Sequence, residues 1–315
     1  MHDSFMIAVN AVIPFLCYLA LGYLARCTGA VDEVFLNRLT RLVFSMMFPF
    51  MTFHNIYSAS WENVPSITLI VFVGAGILAL ELVLLLTVPR LVKENSRRGV
   101  IIQALYRSNF VLFGLPLTTT LYGAEKTAVA AMLVTVVLTI YNVTSVIILE
   151  LFNQGCGSLT VKGLLGKLTR NPMLQGCCIG LVFFALKIKL PSCLANPISS
   201  FANMTTPLAM FALGGTLRFD AMRNNLRYLV PTLLGKLFFI PMILVTLAYL
   251  IGLRGIELFL VVAVFGTPVA SGSYPMAVSM GGDGELAGQL VFTSTVLAIV
   301  TLFIWILGMS VNGLL

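Results

Sequence analysis

Charge is what this sequence of 315 residues has least of: Asp, Glu, Lys and Arg make up 10% of it, against roughly 25% in an ordinary soluble domain. Nineteen basic and twelve acidic side chains cannot provide the polar cover that a water-soluble protein of this length needs. Histidine is scarcer still, with only His2 and His54, and the six cysteines lack paired metal-ligand spacing. Zinc and haem schemes are thereby disfavoured, and no cofactor is expected. No Gly-rich loop ending in Lys-Ser or Lys-Thr occurs, which argues against a pump that carries its own nucleotide site. Apolar runs without clustered His, Asp or Glu also argue against an intramembrane enzyme.

What the chain has instead is apolar length. The hydrophobic set accounts for 59% of residues and mean hydropathy is +1.00. Runs long enough for a bilayer, ~20 residues each, fall at 5–24, 35–56, 65–89, 100–122, 127–152, 172–188, 196–217, 228–252, 256–280 and 286–312. The expected fold is an all-α polytopic membrane protein with ten transmembrane helices. The net charge of +7 is spread between the runs without an aromatic-interleaved stripe, so the partner is a lipid bilayer and not nucleic acid. Alternate loops hold eleven basic residues on one side, among them Arg26, Arg97, Lys162, Arg218 and Arg227, against Lys126, Lys187, Lys189 and Arg254 on the other. The positive-inside rule then puts both termini outside a cell membrane.

The chain repeats itself. Pro14, Gly22, Pro49 and Phe53 recur 158 residues later as Pro172, Gly180, Pro207 and Phe211, and Pro116 and Gly123 recur after 159 as Pro275 and Gly282. Halves of five spans, 1–155 and 156–315, follow, joined through a glycine-containing loop at 153–171. An odd number of spans forces the second copy to cross the membrane in the opposite sense, as inverted repeats of secondary transporters do.

The fourth run holds Asn109, Gly114 and Pro116, and its mate, the ninth, holds Thr267, Pro268, Ser271, Ser273 and Pro275. Mid-helix proline removes a donor and clashes with the preceding turn, while glycine permits unwound geometry, so both helices should break near the bilayer centre. Freed backbone groups must then face protein or a wet cavity. A crossed pair of broken helices would form a substrate site from these eight residues; the alternative is a pair of proline kinks that serve helix packing. Of the charges within the runs, Glu81, Lys236 and Arg107 stand out. Glu81 and Lys236 sit at equal distance from the basic edge and either pair, with Glu81 a candidate coupling group, or stay apart, with Lys236 snorkelling and Glu81 neutral. Arg107 reads first as a side chain snorkelling to that edge and second as a counter-charge for an anion. Arg38 and Arg41 are expected as interfacial anchors, His54 and Asn55 as interface residues, and Asn10 and Asn142 as interhelical hydrogen-bonding groups.

The stretch Asn109 to Leu117, Asn171-Pro172, Pro207-Leu208 followed by Gly214-Gly215-Thr216-Leu217, and Lys236 with Pro241 resemble the auxin efflux carrier family, in its short-loop prokaryotic branch. The resemblance implies a fold like that of bile-acid and sodium/proton antiporter proteins, with spans 1, 2, 6 and 7 as a scaffold and spans 3–5 and 8–10 as a moving bundle. It further implies elevator-like transport of a small organic anion, such as an indole carboxylate or a dicarboxylate, by a homodimer. Plant members carry an Asn in each crossover, whereas the second crossover here offers Pro268, Ser271 and Ser273, which argues against auxin itself. The other readings are a proton- or sodium-coupled antiporter or symporter of the same fold, which would want acidic residues at the crossover, and a channel.

Overall fold

The computed structural model describes residues 2–58, 65–153, 166 and 169–314. The side chain of Asn10 and the expected boundary at 155/156 lie outside what is described. Among the described residues the chain is helical, with no strand. In order come α1 (His2–Cys27), α2 (Glu33–Leu42), α3 (Phe48–Tyr57), α4 (Ile67–Leu91), α5 (Asn95–Tyr106), α6 (Leu115–Tyr122) and α7 (Ala124–Leu151). The second half supplies α8 (Pro172–Ala185), α9 (Ser192–Thr216), α10 (Phe219–Leu234), α11 (Ile240–Leu250), α12 (Gly255–Gly266), α13 (Ser273–Ser279) and α14 (Gly284–Val311).

Side-chain oxygens start several helices by accepting first-turn amides: Asp32 from Phe35 at 2.7 Å, Ser66 from Leu69 at 3.1 Å, Asn171 from Met173 at 3.0 Å and Asp283 from Leu286 at 2.9 Å. Three π-helical turns, Val43–Met47, Phe110–Gly114 and Gly235–Phe239, each run up to a proline two residues further on: Pro49, Pro116 and Pro241. Proline offers no N–H to the carbonyl four residues earlier and crowds it, and widening by one residue relieves the clash. The carbonyl thus left over at Leu237 accepts Trp305 Nε1–H at 3.0 Å.

Among the described residues, four stretches are individually long and apolar enough to cross a bilayer: Ile67–Leu91, Val129–Leu151, Met222–Leu250 and Gly284–Val311. Shorter apolar helices include Ile13–Cys27, Phe110–Tyr122, Pro172–Ala185 and Gly255–Gly266. Along α4 the large apolar side chains of Ile67, Val71, Leu78, Leu82 and Leu86 are exposed. Water would penalise such a face and hydrocarbon welcomes it. The protein is a polytopic helical membrane protein.

Two seams join the halves backbone to backbone. On α1 and α9, a Cβ at Gly22 would collide with the Phe211 carbonyl, and one at Gly214 with the Leu19 carbonyl. On α3 and α8, a Cβ at Gly176 would collide with the Pro49 carbonyl, and one at Gly180 would lie 3.2 Å from Phe53 Cα. Only small residues let helices approach this closely. The contacts are reciprocal: Gly22 meets Phe211 and Gly180 meets Phe53, each member of one pair standing 158 positions from a member of the other.

Polar contacts collect at the basic end. Arg26 donates to the Gly215 carbonyl at 2.8 Å, and Arg218 pairs with Glu33 at 3.1 Å. Arg97 donates to Asp283 at 3.0 Å. Its guanidinium and that of Arg227 lie over the Tyr228 ring, 5.0 and 4.5 Å from its centroid, while the Tyr228 hydroxyl donates to Glu94 at 3.0 Å. Arg38 and Arg41 are exposed, as expected of anchors.

Candidate functional site

Helix ends Tyr106 and Gly266 open two breaks that meet. Ser108 and Val269 form an isolated antiparallel bridge, in which Asn109 N–H donates to the Pro268 carbonyl at 2.8 Å and Ala270 N–H to the Arg107 carbonyl at 3.4 Å. Two more backbone groups at the breaks are met: Val269 N–H donates to Ser294 Oγ at 3.1 Å, and the Val264 carbonyl accepts from Ser108 Oγ. Tyr141 OH lies 3.1 Å from Ser108 Oγ. Lys236, fully buried, points its Nζ at the Tyr106 carbonyl at 3.5 Å. A cationic group suits that carbonyl end of α5.

Beside the breaks lies a cavity of about 520 Å³, within the range typical of small-molecule sites. Asn109, Pro116 and Ser271, expected at the site, line it, and so do Arg107, Ser108, the apolar turn Phe110 to Leu112, and Gly272. The opposite wall comes from Pro14, Phe15, Tyr18, Phe48, Met51, Asn55, Asn203 and Thr206 of α1, α3 and α9. Asn55 therefore faces the cavity and is not the plain interface residue the sequence suggested. Among the described residues no hydrogen bond holds the Asn109 side chain to protein.

Arg107 does not snorkel. It is 3% exposed, held by Nη2–H donation to Asn142 Oδ1 at 3.2 Å and by Nη1–H donation to Met276 Sδ. Its Nε is buried without a partner, and no carboxylate forms a salt bridge with it among the described residues. Glu81 and Lys236 do not form an ion pair. Glu81 accepts from Thr144 Oγ1 at 2.6 Å while Lys236 turns to the break, because equal depth on two helices does not make their side chains face one another.

The other expected residues stand behind the cavity wall. Gly114 leaves room for the Phe110 ring, Thr267 donates to the Ala263 carbonyl at 2.9 Å, and Pro268 supplies the carbonyl for Asn109. Ser273 is buried with an unpartnered Oγ, and Pro275 packs in α13. Towards the basic end, Tyr274 OH on α13 lies 2.7 Å from Thr216 Oγ1 on α9, beside a second cavity of about 320 Å³ lined by Glu33, Asn37, Arg218 and Glu285. Among the described residues no cluster of His, Cys, Asp and Glu could hold a metal ion.

A family model described as membrane transport protein matches residues 7–306. The chain belongs to this family, that of the auxin efflux carriers. It is similar to a protein of Methanothermobacter thermautotrophicus described as an uncharacterized transporter, with 24% identity over 304 residues that cover 96% of this chain and 98% of the relative. This family member is a membrane transporter and not an enzyme.

Proposed function

We propose that this transporter is a secondary carrier of small organic anions that works by elevator-like alternating access. The observation that carries the reading is the cavity between the two meeting breaks and the α1, α3 and α9 wall, with a buried guanidinium in its lining. Backbone freed in mid-membrane is tolerated where it lines such a chamber, and a fixed positive charge there favours an anion. Spans 1, 2, 6 and 7 serve as scaffold and spans 3–5 and 8–10 as moving bundle, in two inverted halves meeting near 155/156. The reciprocal Gly22–Phe211 and Gly180–Phe53 contacts support that symmetry. The homodimer and the outward-facing termini belong to the same proposal. Glu81 is the candidate for a coupling proton. Lys236, on its contact with the Tyr106 carbonyl, instead holds the end of α5.

The test is uptake of labelled malate and indole carboxylates into proteoliposomes under imposed pH, sodium and potential gradients. Saturable uptake that falls at least tenfold in Asn109→Ala supports the carrier. An unsaturable, ion-selective conductance would replace it with a channel.

A further inference from the structure

We propose that Tyr274 is the gating residue on the basic side of this transporter: its ring partitions the two cavities and its hydroxyl latches α13 to the scaffold. This deepens the carrier reading and rests on its division into scaffold and moving bundle. Gly272 lines the first cavity and Tyr274 the second, so the partition between them is two residues thick along the chain. The Tyr274 ring, 4% exposed, fills it. Gly288 on α14 leaves the slot for that ring: a Cβ there would lie 3.4 Å from Tyr274 Cδ2 and 2.8 Å from Leu213 Cδ1 on α9.

The latch has a direction. Thr216 Oγ1 donates its proton to the Ala212 carbonyl of its own helix at 3.1 Å, so across the 2.7 Å contact Tyr274 donates and Thr216 accepts. Thr40 on α2 stands beside the same phenol, its own proton committed to the Leu36 carbonyl at 2.9 Å. One bundle hydroxyl thus meets two scaffold helices. Further along α13, Met280 Sδ takes a long contact of 3.9 Å from Asn171 Nδ2 at the start of α8. Met276 lies two residues from Tyr274 and so on the other side of α13, where its Sδ accepts from Gln103 Nε2 of α5 at 3.6 Å. A stroke that carries α13 along with α5 therefore breaks the Tyr274 bond, and the second cavity then becomes the way out to the basic side. Loss of one neutral hydrogen bond is enough to shift a two-state balance about two- to tenfold.

The experiment reads that balance from both sides in the full-length protein in membranes, with a membrane-impermeant maleimide and a background free of other cysteines. Leu213→Cys places a thiol behind the latch, on a buried residue that lines the second cavity; Asn203→Cys places one in the first. Tyr274→Phe keeps the ring and removes only the donor. It should raise labelling of Leu213→Cys from the basic side at least threefold and lower labelling of Asn203→Cys from the opposite side. Thr216→Val should do the same, Thr216→Ser should stay at the parent level, and Tyr274→Phe with Thr216→Val should add nothing to either alone, since both remove one bond. Thr216→Val carries the test even where Tyr274→Phe fails to fold. Unchanged labelling in both variants, a rise at both positions together, or fully additive effects would overturn the latch; the joint rise would mark a merely loosened fold. Any of these results beside saturable anion uptake would leave the carrier standing without the latch. Opposite shifts of the two labels without uptake of any solute would keep the latch and remove the carrier.

Discussion

At the scale of single residues, burial separates groups that handle a ligand from groups that carry strain. Ser273 is 3% exposed, its hydroxyl has no partner, and it lies outside the cavity lining. A buried unsatisfied hydroxyl is a cost that alanine removes. Ser273→Ala should therefore raise the melting temperature in detergent, by the equivalent of about 1 kcal/mol, and leave anion uptake unchanged; reduced uptake with unchanged affinity of the fold would return Ser273 to the site. Asn109 and Ser271 were legible in the sequence as polar residues flanking helix-breaking prolines. Phe48, Met51, Asn55, Asn203 and Thr206 were not, because nothing local marks a residue that reaches the site only when α3 and α9 pack against the breaks. Arg107 was legible as a buried-or-snorkelling choice, and only the packing of Met276 and Asn142 around it decides the matter.

At the scale of elements, proline and glycine carried most of the information. The interruption at 267–272 sits at Pro268 and Gly272 of the ninth run, whereas that at 107–109 lies ahead of Gly114 and Pro116 of the fourth. The π-helical turns were not foreseen, since proline in sequence announces a break without saying whether the chain kinks, unwinds or widens. The depth of Glu81 and Lys236 was readable from residue counts, whereas the direction each faces depends on how α4, α7 and the Gly235–Phe239 turn are rotated. Between elements, the loop before α5 is tied down through Glu94. Hydrogen bonds from its own backbone amide and from the Tyr228 hydroxyl hold its carboxyl below the usual carboxylate range. A carboxyl depressed in the folded state stabilises above its unfolded value of about 4.3 and loses that contribution as pH falls through the lower, folded value. Glu94→Gln should accordingly melt below the wild type at pH 7, with the gap closing below about pH 4; a gap that persists at low pH would show that the charge is not the cause.

At the scale of the whole molecule, the cavity and the contact between Tyr274 and Thr216 lie at different ends. Asn55, Thr120 and Asn203 line the cavity, on stretches of α3, α6 and α9 remote from the basic loops, whereas Tyr274 and Thr216 meet near those loops. On the proposed mechanism, access in this conformation is from the side opposite the basic end. Asn203→Cys, in a background free of other cysteines, should react with a membrane-impermeant maleimide added to that side, and excess transported anion should slow the reaction. Labelling only from the basic side would contradict this access.

The glycine seams have a mechanical meaning. Where carbonyl presses on Cα, as at Gly22, Gly214, Gly176 and Gly180, no rotamer is left to absorb sliding, so in the proposed mechanism α1 with α9 and α3 with α8 would be the stator. The proposed stroke would then be borne by joints where side chain meets side chain, such as those around the interrupted helices.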